Sequence, residues 1–156
     1  MTERGLQASR LTLLVTLVAA LTGRVWGGSN EGRARDLLLA NDFDRVNRVE
    51  ALAPGVTAAL SKTLGNRTLV NPPYLSKASV APAERKATLL FAGKSPLVWF
   101  IHYQLGDEGP TFHVAVVTID SKGAGSVAGH LKLKSRAWSP PELKNMVQRG
   151  DFDVVD

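Results

Sequence analysis

The chain has three histidines, His102, His113 and His130, all in its second half. Three imidazoles converging on one point are the donor set of many catalytic zinc sites, where the metal activates a bound water to hydroxide. Counting across the turns brings them together. A four-residue turn at 106–109 sets Leu105 opposite Pro110 and His102 opposite His113, which predicts Cβ atoms about 4.5–5.5 Å apart on one sheet face. In the next hairpin, matching Val114 with Leu131 and Phe112 with Leu133 sets His130 opposite Ala115 and Lys132 opposite His113. All three histidines are then expected on the same face.

The same alternation turns Lys132, Lys134 and Arg136 toward that face. Cations repel a dication, so two chemistries compete. One is an anionic or polar ligand held by His102, His113, His130, Lys132, Lys134 and Arg136; the alternative is zinc held by the three histidines. Both depend on turn length, because a slip of one residue sends a histidine to the other face. The opposite face is expected to be core, with Trp99, Ile101 and Tyr103 beside Phe112, Val114 and Val116.

Other apparent motifs fail. The stretch Gly123-Ala124-Gly125-Ser126-Val127-Ala128-Gly129 lies between two strand-like segments, and Ala128 stands where a dinucleotide fingerprint needs glycine. Ser126 lacks the flanking glycines of a nucleophile elbow. The carboxylate pairs Asp42-Phe43-Asp44 and Asp151-Phe152-Asp153 read as solvated charges near a helix cap and in a terminal tail. No catalytic template is complete.

The elements that must position the histidines change period along the chain. From Ser29 or Asn30, the residues Leu39, Phe43, Val46 and Ala53 fall near one side of a helical repeat, which predicts an amphipathic helix restarted at Asp42 and ended by Pro54-Gly55. Val56, Ala59, Leu60 and Leu64 form a second helical stripe that Gly65 closes. Alternation with β-branched and aromatic residues then predicts strands over 86–92, 97–105, 111–120 and 127–138, joined by glycine-bearing turns. Ser139-Pro140-Pro141-Glu142 has the form of a capping box, followed by Leu143, Met146 and Val147 on one face and Gly150 as the stop. The expected fold is α+β, with N-terminal helices packed on one face of a four-stranded antiparallel meander and a C-terminal helix.

The N-terminus predicts export. Arg4 and Arg10 precede an uncharged run over 11–21, which is too short to span a bilayer and has the form of a signal peptide over 1–27. The remainder, 28–156, is read as one globular domain. Cleavage before Gly28 leaves 16 basic and 13 acidic residues, a net charge of +3, which is too slight for a nucleic-acid partner. With no cysteine there is neither a disulfide framework nor a lipidation site, and no permanent membrane anchor is expected after cleavage. The sequence therefore predicts a secreted or periplasmic, non-catalytic binding or accessory domain for a protein or a polar or anionic ligand. The alternative is a metal-binding protein or metal-assisted hydrolase that uses zinc.

Overall fold

The computed structural model describes residues 30–72, 86–106 and 109–155. The expected signal segment lies outside them. In chain order the elements are α1 (Asn30–Ala40), β1 (Asp44–Val46), a 3-10 turn (Val49–Ala51), α2 (Pro54–Leu64), β2 (Thr68–Val70), β3 (Lys86–Lys94), β4 (Val98–Leu105), β5 (Thr111–Ile119), β6 (Gly125–Leu133), α3 (Pro140–Arg149) and β7 (Phe152–Val154). The fold class is α+β.

The four long strands β3 to β6 form the expected antiparallel meander, at the centre of a seven-stranded sheet. Three short strands extend it. Antiparallel β1 and parallel β2 pair with opposite ends of β3, and β7 pairs antiparallel with β6.

Helices cover both faces of the sheet, where the sequence suggested one. Ala34 and Leu38 of α1 share a core with Leu143, Met146 and Val147 of α3, which packs on Phe91, Val98, Phe100, Val114, Val116, Leu131 and Leu133. On the other face Val56, Ala59, Leu60 and Leu64 of α2 pack on Leu89, Trp99, Ile101, Tyr103, Ala115 and Val117. A bulge at Leu90 lets consecutive Leu90 and Phe91 both serve the α1/α3 core, which strict alternation forbids.

The helices with clear stripes form as read. In α2 the buried residues are Val56, Ala59, Leu60 and Leu64, and the Gly65 N–H donates to the Ser61 carbonyl. In α3 the Ser139 side chain accepts from the Glu142 N–H, and left-handed Gly150 ends the helix. The Glu142 carboxylate turns back to the N–H of Trp138, 2.8 Å away, one residue before the cap.

The expected helix past Asp42 is absent. Asn41 donates its side-chain amide to the Leu37 carbonyl at the end of α1, and Asp44 then pairs opposite Lys94 at the start of an edge strand. Phe43 packs toward the α1/α3 core and Val46 toward the α2 core, so side chains spaced as a helical stripe are divided between the two faces.

Glycines let the α2 start meet the β5–β6 hairpin. A Cβ on Gly125 would strike the Gly55 carbonyl, and one on Gly55 would strike the Gly123 carbonyl. The glycine-rich stretch is therefore a packed hairpin, and Asp120 Oδ1 accepts from the N–H groups of Lys122 and Ala124 across its turn.

Candidate functional site

The β4–β5 register differs by one residue from the four-residue-turn expectation. The ladder closes at Leu105 opposite Thr111, so Gly106 and Pro110 lie outside it. Pro110 has no N–H and cannot serve as the first ladder donor, and pairing resumes at the next residue. Tyr103 therefore faces His113, while His102 faces Val114. The expected union of three histidines is corrected: His102 lies on the α1/α3 face, and His113 and His130 lie on the α2 face.

The β5–β6 register agrees with the sequence count over this stretch. His113 is opposite Lys132, Val114 opposite Leu131, and Ala115 opposite His130. A bulge appears only beyond Val116.

His102 is a structural residue. It is fully buried, and its Nδ1–H donates to the His113 carbonyl at 3.0 Å while Nε2 accepts from the Ala137 N–H at 3.3 Å. These two bonds define one neutral tautomer, with both ring nitrogens occupied. Burial, with some help from the nearby Arg136 charge, holds its pKa down at about 4.

His113 and His130 form the candidate site. His113 Nδ1 lies 3.2 Å from His130 Nε2, and Tyr103 Oη lies 2.8 Å from that same Nε2. His113 Nε2 is 2.9 Å from Thr111 Oγ1. The Tyr103 ring lies nearly parallel to both imidazoles, with centroids 5.5 and 6.0 Å away. A ring nitrogen offers one proton or one lone pair, so His130 Nε2 serves one of its two partners in a given tautomer. The group is a short chain from Thr111 through His113 to His130 Nε2, the atom for which His113 and Tyr103 compete.

Its electrostatics favour neutral rings. Burial, then the charges of His130, Lys132, His102 and Arg67, lowers the His113 pKa to about 4. Burial likewise lowers His130. The Tyr103 phenol is pushed up by burial, with Arg67 opposing. Apart from the other imidazoles, the charges acting on His113 are the cations Lys132 and Arg67. Neither Lys132 nor Arg67 is ion-paired among the described residues, where the bridges are Lys144–Asp42 and Arg149–Asp151.

The expected basic stripe is divided. Lys132 stays with the imidazole pair, but β6 ends at Leu133, so alternation no longer governs Lys134 and Arg136. Lys134 is exposed beyond the strand. The Arg136 guanidinium stacks 4.0 Å over the Trp138 ring and its charge acts on His102.

Among the described residues no group of three or more His, Cys, Asp or Glu side chains is arranged to hold a metal. His102 is separated from the other two histidines by the sheet, so the three-histidine zinc centre is not assembled. Sequence reading missed Tyr103, Thr111 and Arg67. The signal for the first two was Pro110, which implies a five-residue turn and brings Tyr103 to His113; Arg67, between α2 and β2, had no local signal.

The chain matches no protein-family model, no curated protein and no solved structure.

Proposed function

We propose that the chain is an exported, non-catalytic binding domain that takes an anionic group, a carboxylate or phosphate of a partner, beside the His113–His130 pair. The observation that carries this reading is the action of Arg67 and Lys132 on His113, with neither cation in an ion pair among the described residues, although Asp153 of β7 stands opposite Lys132 in the ladder. Two cations from different elements, acting beside neutral imidazoles and the Thr111 hydroxyl, have the composition of an anion site. Catalysis is disfavoured by the same numbers, because an imidazole with a pKa of about 4 is a weak base at neutral pH. Export is supported by the charged and apolar pattern of residues 1–27 and the absence of cysteine. N-terminal sequencing of secreted material tests it, with a start close to Gly28 expected and an intact Met1 contradicting it.

The binding test titrates a glutamate-rich peptide and, separately, inorganic phosphate against wild type, Arg67→Gln and Lys132→Gln. Each substitution is expected to weaken binding by roughly fivefold to tenfold, and added salt to weaken it further. Salt-insensitive binding, or affinities unchanged in both variants, would place the ligand elsewhere. The two probes separate a protein partner from a free small anion.

A further inference from the structure

Trp138 stands in the connection between β6 and α3 with 62% of its surface exposed. Its indole is the largest side chain that the described residues leave in water, beside Leu97 and Val127. Two arginines hold it. The Arg136 guanidinium carbon lies 4.0 Å over the ring, and Arg45 Nη1 donates to the Trp138 carbonyl at 3.2 Å. Arg45 is itself fixed, donating from Nε to Asn47 Oδ1 at 2.8 Å and lying 4.8 Å over the Phe91 ring.

These guanidiniums are held in place but not ion-paired. Neither forms an ion pair among the described residues, and Arg136 Nε is buried without a hydrogen-bond partner. With one ring face taken by Arg136, the exposure of Trp138 belongs to its edge and other face. A ligand that fits must supply a ring-shaped apolar surface and an anionic group a few bonds away.

We propose that Trp138, Arg136 and Arg45 form a second binding surface, independent of the imidazole pair, that takes an acidic sugar: a pyranose ring bearing a carboxylate. The C–H groups of a pyranose carry slight positive charge and pack on the negative face of the indole. The carboxylate accepts from the outer N–H groups of Arg136 and from Nη2 of Arg45, the guanidinium positions that these bonds and burial leave open. A densely charged strand is disfavoured, because the Glu142 carboxylate is bonded to the Trp138 N–H at 2.8 Å and Asp42 pairs with Lys144 of the same helix at 3.3 Å. One carboxylate per ring matches two arginines; a chain of phosphates meets these acids.

The test follows the indole N–H resonance of Trp138, identified by its loss in Trp138→Phe, while trigalacturonate is added to the protein. A saturable shift is expected, with the affinity read from that resonance falling about tenfold in Arg136→Gln and unchanged in Arg67→Gln, and with calorimetric binding weakened in Trp138→Ala. Trp138 is exposed, so its substitution leaves both cores intact. Absence of a shift at millimolar sugar overturns the proposal. So does an equal shift with the neutral galactose trimer, with tetraglutamate or with a single-stranded oligonucleotide, since each removes either the carboxylate or the sugar ring from the recognition.

Discussion

His102 and His113 show how position in a register decides what a residue type does. Both are buried imidazoles on adjacent strands, yet one holds two backbone groups and the other faces a second imidazole. Replacing His102 with Phe keeps an aromatic ring, though a larger one, and leaves the His113 carbonyl and the Ala137 N–H without partners. A loss of about 1–3 kcal/mol per unpaired group is expected, measured by urea denaturation. The acid limb of stability carries a second signature. The His102 pKa is lowered from 6.5 to about 4 in the folded chain, so between those values the unfolded chain binds a proton that the folded chain refuses. Its contribution is fully present above pH 6.5 and is lost as pH falls through about 4, amounting to about 3–4 kcal/mol at roughly 1.4 kcal/mol per pH unit. Urea midpoints between pH 7 and 4 should fall steeply in wild type and less steeply in His102→Phe. Parallel profiles would contradict the assignment.

At the scale of elements, the parts legible in the sequence are those with local causes. Ser139, Glu142 and Gly150 mark both ends of α3 through bonds made within a few residues, and Val56, Ala59, Leu60 and Leu64 mark the inner face of α2 by spacing alone. Ser139→Ala should cost about 0.5–2 kcal/mol, read as a lowered thermal midpoint. The features that were not legible are set by partners distant in the chain. Asp44, Arg45 and Val46 become strand because β3 offers an edge, and the helical spacing of Phe43 and Val46 could not reveal that. The β4–β5 register turned on one missing N–H at Pro110, a local signal that turn counting overlooked. Gly125→Ala probes a contact between distant segments, since its methyl would meet the Gly55 carbonyl at the start of α2. We expect a loss beyond the ordinary 1–3 kcal/mol of overpacking; a neutral substitution would mean that α2 and the hairpin do not approach so closely.

For the whole molecule, two cores on opposite faces of one sheet leave both faces of the central strands occupied. The proposed anion site lies toward the strand ends, where His113, His130 and Lys132 stand with Arg67 acting on His113. Among the described residues no helix is long and apolar enough to cross a membrane. The fold class and the meander were readable from period and turns; the site was only half readable, because His113, His130 and Lys132 belong together while His102, Lys134 and Arg136 do not. The most direct measurement of the central claim is the His113 pKa by NMR, with and without a saturating glutamate-rich peptide. Without ligand it should lie at about 4, well below an ordinary histidine. An anion docked between the ring and the two cations must raise it, and the rise should shrink in Lys132→Gln. A His113 pKa that stays put while the peptide binds would contradict an anion site at this pair.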